Sequence, residues 1–152
     1  MSELSSSVTV PHEYVVAVDH VGIAVRDLAA ACDFYLNAFG WVSHHEEVNE
    51  DQGIREAMVG PENAAEGDTL VQLIAPLDET STIAKFIDTR GPGLQQYAVR
   101  VTDMDALMKY LASINVRVLY PAPRIGTGGS RINFVHPKDA GGVLLELVEP
   151  AN

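Results

Sequence analysis

Residues 19–41, DHVGIAVRDLAAACDFYLNAFGW, lie without a gap on residues 95–117, QQYAVRVTDMDALMKYLASINVR. Self-similarity at a fixed offset marks a duplicated supersecondary unit. Both segments begin as an alternating, β-rich run, reach Val-x-Asp at Val25–Asp27 and Val101–Asp103, and then change to helical spacing. Asp27 and Asp103 are suited to cap the helices that follow, because a short carboxylate accepts from the free N–H groups of a first turn. Apolar residues recurring every three or four positions predict that the first helix buries Leu28, Cys32, Tyr35 and Phe39. By the same spacing the second buries Met104, Leu107, Met108, Leu111 and Ile114.

Outward from these two anchors, each helix is followed by three β-like segments. They are Trp41–Val48, Ile54–Val59 and Thr69–Ala75 in the first half, and Val116–Tyr120, Arg131–Val135 and Val143–Val148 in the second. The halves also end alike, in VQLIAP and LELVEP, which aligns Gln72 with Glu146. The expected fold class is therefore α+β, with two β-α-β-β-β modules around one cleft. A single domain spans 1–152, with module one at about 15–76, a linker at 77–92 and module two at about 93–150. Inside the linker, Ile83–Ile87 predicts a short helix capped by Thr80 or Ser81.

The chain's 152 residues accommodate one domain of ordinary size. Apolar residues at 47% and charged residues at 20% are globular values. A formal net charge of −11 disfavours partners held through phosphate neutralisation, so neither nucleic acid nor an anionic membrane is expected. The polar start, Met1–Ser7, has no signal-peptide pattern. The apolar run Tyr14–Val25 is interrupted by Asp19 and His20 and is too short to span a bilayer. One cysteine, Cys32, forms no internal disulfide and suits a reducing, cytoplasmic setting.

Four positions selected by the repeat are polar where a strand should be apolar: His20 with its counterpart Gln96, and Gln72 with its counterpart Glu146. Removing an unpartnered polar group from water costs roughly 2–7 kcal/mol. Any one of the four reads readily as a core residue satisfied by hydrogen bonds. Their pairing by the repeat favours a shared purpose. If the halves meet about a pseudo-twofold axis, one imidazole, two amides and one carboxylate converge as an open-sided divalent-metal site. His44 and His45 face opposite sides of a strand and His12 lies in the poorly patterned start, so all three read as solvated or structural. His136 ends a strand, where capping is at least as good a reading as a place in the cleft.

Together DHVGIAVRDL, EVNEDQGIREAM, VQLIAPLDETSTIAKF, GPGLQQYAVRV, RINFVHPKDAGG and VLLELVEP resemble the methylmalonyl-CoA epimerase family of the vicinal oxygen chelate superfamily, from about Val18 to Pro150. The resemblance implies a glyoxalase-like half-barrel, a divalent cation such as Co²⁺ or Mn²⁺, and a homodimer. It implies an acyl-CoA thioester substrate whose C2 epimers are interconverted through a metal-stabilised enolate. It puts metal ligands at His20, Gln72, Gln96 and Glu146, and acid/base carboxylates at Glu56 and Glu146. The family pattern has two histidines where this chain has Gln95 and Gln96, and an amide oxygen there still completes an oxygen-rich site.

By strand pattern alone, Glu56 reads equally as a salt-bridge partner of Arg55 or Arg131. Lys85, Arg124, Arg131 and Lys138 are candidate cations for an anionic CoA ester. The Gly126–Ser130 run offers backbone amides to phosphate, although a Gly-rich hairpin is the commoner reading. Two alternatives remain: a glyoxalase-like metal-dependent isomerase, and a non-catalytic ligand-binding module of the same fold. An oxygen-activating iron site is remote, since it needs two histidines and a carboxylate.

Overall fold

A computed structural model describes residues 12–151. The polar start at residues 1–7 and the His12 side chain lie outside the described part. Strand β1 (Val15–Ala24) leads into helix α1 (Leu28–Phe39), then β2 (Val42–Asn49), β3 (Ile54–Gly60) and β4 (Leu70–Pro76). After α2 (Thr82–Arg90), the plan repeats as β5 (Gly93–Val101), α3 (Met104–Ser113), β6 (Arg124–Ile125), β7 (Arg131–Val135) and β8 (Leu145–Glu149). The expected caps form: Asp27 accepts from the Ala30 amide and Asp103 from the Ala106 amide. Of the two candidates for α2, Ser81 is the cap, accepting from Ile83 and Ala84.

The strands form one curled sheet in the order β2-β3-β4-β1-β5-β8-β7-β6. Its centre is the antiparallel seam between β1 and β5, flanked by the parallel pairs β1·β4 and β5·β8. Each half is thus the mirror of the other in strand order, as a pseudo-twofold axis between β1 and β5 requires. Side chains alternate across each strand, so one set lines the concave face and the next faces the helices. On the convex face α1 packs beside Ala57, Val59 and Leu73, while α3, through Met104 and Leu107, covers Val101, Val135 and Leu147. At one end of the concave face, Ile83 and Ile87 of α2 pack on Ala24, Ile54 and Ile74.

Three expectations need correction. Val116–Tyr120 is not a strand; it makes a single bridge, Val118 to Val135, and the sixth strand is displaced to Arg124–Ile125. The buried Asn133 side chain takes over the pairing there, accepting from the Tyr120 amide and donating to the Tyr120 carbonyl. Phe39 and Ile114 are exposed at 60% and 39%; Phe39 is the last residue of α1 and Ile114 is the cap just beyond α3, where the helical phase stops setting which way a side chain faces. Cys32 is only half-buried on the sheet-facing side of α1, a small packing residue beside the Leu73 cluster.

Candidate active site

Strand register explains how the four polar residues meet. Gly22 on β1 lies between Gln72 of β4 and Gln96 of β5, while Ala98 on β5 lies between His20 of β1 and Glu146 of β8. Gly22 and Ala98 are themselves equivalent in the repeat, so two small residues form the floor beneath four polar ones. The small size at Gly22 is required: a Cβ there would stand 1.4 Å from Gln96 Oε1.

All four side chains are buried, and they bond to one another. His20 Nε2 lies 3.0 Å from Glu146 Oε1, and Gln96 Nε2 donates to the same oxygen at 2.9 Å. Gln96 Nε2 also reaches Gln72 Oε1 at 3.3 Å. Gln72 Nε2 then donates to Glu56 Oε2 at 2.7 Å, bringing the second carboxylate into one continuous chain with the first. Glu56 is 1% exposed and takes a further donor from the Thr127 hydroxyl, so it is no salt-bridge partner of Arg55 or Arg131. Glu56, Gln72, Gln96, Thr127 and Glu146 line a cleft of about 190 Å³ that is otherwise largely apolar. His20 faces a second cavity of about 240 Å³ behind it, which Thr127 and Glu146 also line.

Electrostatics divides the groups. Burial raises the Glu56 carboxyl above its ordinary value; the Thr127 and Gln72 donors oppose this, and the charges of Glu47 and Glu146 reinforce it. Burial alone would lower His20, but its hydrogen bonds to Asp19 and Glu146 and their charges raise it to about 9. Asp19 receives His20 Nδ1 at 2.7 Å and Arg100 Nε at 2.8 Å. Burial pushes the Asp19 carboxyl up, and those two partners more than offset it, leaving it below its ordinary value.

Among the described residues no three His, Cys, Asp or Glu side chains converge as a metal cage. The convergent set is mixed: one imidazole, one carboxylate and two amides, a donor set matched to hard or borderline divalent ions. Gln96 Oε1 bears on the fit, because it is buried with no hydrogen-bond partner. An orphaned buried acceptor costs about 1–3 kcal/mol. Turning the amide about its last bond aims that oxygen at Gln72 and Glu146 and takes Nε2 off the carboxylate. A cation among the four would satisfy all of these oxygens together, so the residues present fit a divalent ion.

Several site residues carried no signal of their own in the sequence. Asp19, Arg100, Thr127 and Glu47 come from different strands and loops and meet only through tertiary structure. Gly22 had a readable signal, a glycine in mid-strand, which marks close approach of another group. The Gly126–Ser130 run is the turn of the β6–β7 hairpin, and four of its five amides are already used. Gly128 N–H donates to Glu47 Oε1 at 2.6 Å, and the amides of Gly126, Gly129 and Ser130 bond within the turn. The run is thus a Gly-rich hairpin turn, the commoner of the two readings. Arg131 is bound to Asp105 and Glu149, and Arg124 lies over the Tyr120 ring with its guanidinium carbon 4.0 Å from the centroid. His136 caps the short turn after β7 by accepting from the Lys138 amide. His44 bonds to the Pro61 carbonyl and His45 to Glu47, both outside the cleft.

Residues 19–134 match the Glyoxalase/Bleomycin resistance protein/Dioxygenase superfamily. The mitochondrial methylmalonyl-CoA epimerase of Dictyostelium discoideum is 35% identical over 134 residues, which is 87% of this chain and 77% of that protein. The chain belongs to the methylmalonyl-CoA epimerase family. A crystal structure of the family's member from Mycobacterium tuberculosis is 54% identical, covers 95% of this chain and 94% of its own, and superimposes with a TM-score of 0.87. A methylmalonyl-CoA epimerase in complex with methylmalonyl-CoA and NH4+ is 43% identical, with 90% and 96% coverage and a TM-score of 0.85. Family membership accounts for the α+β half-barrel, and the family's members are isomerases.

Proposed function

We propose that this chain interconverts (2R)- and (2S)-methylmalonyl-CoA by moving a proton at C2. The carrying observation is a pair of buried carboxylates, Glu56 and Glu146, contributed by different modules to the walls of one cleft and joined through Gln72 and Gln96. Epimerisation needs a group that removes the C2 proton on one face and another that returns a proton on the opposite face. Glu56, whose carboxyl is raised by burial, is suited to hold a proton between these steps. Glu146 is the second acid/base group and also a cation ligand. A divalent ion held by His20, Gln72, Gln96 and Glu146 would supply Lewis-acid stabilisation of the charge that develops on the thioester oxygen. The apolar remainder of the cleft, with Ile54, Ile74 and Phe134, excludes water around the reacting carbon.

A second, larger groove of about 630 Å³ meets the cleft at Thr82, Gln95, Gln96 and Leu144, and carries Lys85 and Arg90. It supports an acyl-CoA substrate by offering two cations and an apolar trough to the carrier portion. A homodimer fits the apolar surface left at Phe34 and Phe39 of α1 and at Val15, Val16 and Val18 of β1. The single cysteine is compatible with a cytoplasmic setting. The deciding measurement is incorporation of solvent deuterium at C2 of methylmalonyl-CoA, with and without added Co²⁺ or Mn²⁺. Exchange at the uncatalysed rate under both conditions would remove the assignment. Exchange unaffected by chelation would remove the metal.

A further inference from the structure

Glu47 and Glu56 stand directly opposite each other on β2 and β3. Cross-strand partners share a face, and like charges so placed repel. Each carboxylate nevertheless has a donor, and both donors come from consecutive residues of one turn. Gly128 N–H donates to Glu47 Oε1 at 2.6 Å, and the Thr127 hydroxyl donates to Glu56. That turn joins β6 to β7 at the far end of the sheet order, so it crosses the concave face to reach the strands at the other end. Gly128 and Gly129 have φ of 64° and 78°, a conformation open to glycine at little cost.

We infer that Glu47 is a positioning residue for the proton transfer: by pinning Gly128 it holds the Thr127 hydroxyl on Glu56 and so fixes the plane of that carboxylate. The inference rests on the proposed epimerase reading. Glu56 Oε1 then faces Thr127 and Oε2 faces Gln72, and neither oxygen is free to swing with the turn. Glu47 touches no reacting atom in this arrangement and holds Glu56 through the turn, beside the upward push of its charge on that carboxyl. Its other neighbour, His45, donates to the same oxygen at 2.6 Å from the solvent side and holds the Glu47 side chain in place.

The test uses the full-length, metal-loaded protein in D2O with each epimer, measuring inversion separately from C2 deuterium uptake with retention. Misplacing a catalytic group by about 1 Å costs up to 10²-fold, so Glu47→Ala should lower kcat for inversion roughly 10–100-fold at nearly constant KM. Uptake with retention into the epimer whose proton Glu146 handles should persist at close to the wild-type rate, because that wall of the cleft is untouched. Glu47→Gln keeps a carbonyl acceptor for Gly128 and should restore inversion. Thr127→Val should match Glu47→Ala, and the double variant should be no worse than either. The Gly128 amide should lose hydrogen-exchange protection in Glu47→Ala and keep it in Glu47→Gln. The inference is overturned if inversion and retention uptake fall together, if Glu47→Gln is as impaired as Glu47→Ala, or if Glu47→Ala is unimpaired. A wild-type protein that catalyses no exchange overturns the epimerase reading itself, and the inference with it.

Discussion

Gly22→Ala adds one methyl group to the floor of the site, and its consequence follows from distances. The new Cβ would lie 1.4 Å from Gln96 Oε1, 2.4 Å from Cδ and 3.0 Å from Nε2. Ordinary contact begins near 3.4 Å, so the amide must retreat by about 2 Å. Gly22 has no positive φ, and alanine suits its extended backbone. Gln96 must therefore move rather than the strand. Its hydrogen bond to the Glu146 carboxylate is of a kind that contributes about 1.5–3 kcal/mol, and that to Gln72 about 0.5–1.5 kcal/mol. Release of the orphaned Gln96 Oε1 returns about 1–3 kcal/mol. The net loss of stability is thus small, about 1–2 kcal/mol, or a lowering of Tm by a few degrees. The loss at the site is larger, because one of the four proposed ligands is displaced. Calorimetric titration with Mn²⁺ should show affinity at least about tenfold weaker, on the scale seen when ligand orientation is disturbed. The control is a double-mutant cycle with Gln96→Ala. In that background Gly22→Ala should add almost nothing, since the atom it strikes is gone. Equal losses of affinity in both backgrounds, or unchanged affinity in the single variant, would refute the steric argument.

Glu56→Gln should lower turnover by roughly 10²–10⁴-fold while leaving Mn²⁺ affinity intact, whereas Glu146→Gln should lower both; loss of metal in the Glu56 variant would exchange the two assignments. Gln96→His should tighten Co²⁺ far more than Mn²⁺, because imidazole suits the later metal and a carbonyl oxygen the earlier. An unchanged ratio of the two affinities would argue against direct ligation by Gln96. Away from the site, Asp139 accepts from the Arg117 amide and guanidinium, which hold its carboxyl well below 3.8. A depressed carboxylate contributes stability that is present above its unfolded-state value and is lost as pH falls through the folded value. Chemical denaturation at successive pH values should therefore show wild type losing more stability below about pH 4 than Asp139→Asn does. Parallel curves would contradict the ion pair's contribution.

The site was legible where chemistry and periodicity coincide. His20, Gln72, Gln96 and Glu146 interrupt apolar strands at equivalent places in two halves, and strand register brings those places together. Asp27 and Asp103 announced both long helices because capping is a local interaction. What escaped reading depends on partners distant along the chain. Val116–Tyr120 alternates like a strand, yet Asn133, thirteen residues on, supplies a side chain where a strand would supply backbone. Phe39 and Ile114 continue the apolar spacing to the very ends of their helices, and periodicity does not report where a helix stops. Thr127 and Glu47 are separated from their partners by 71 and 81 residues, and no local pattern encodes such a meeting.

The seam between β1 and β5 has a thermodynamic consequence. His20 lies on one side of it and Gln96 on the other, with Gln72 and Glu146 on the parallel neighbours of each. A ligand gripping all four is a rivet through two structural halves, and it has no counterpart in a chain where either half has come loose. Binding confined to the native state stabilises by RT ln(1 + [L]/Kd), about 2.7 kcal/mol at a ligand concentration one hundred times Kd. That free energy falls on the joint between the duplicated halves, so an occupied site raises the cost of parting them by the same amount, on top of the β1–β5 ladder that already joins them.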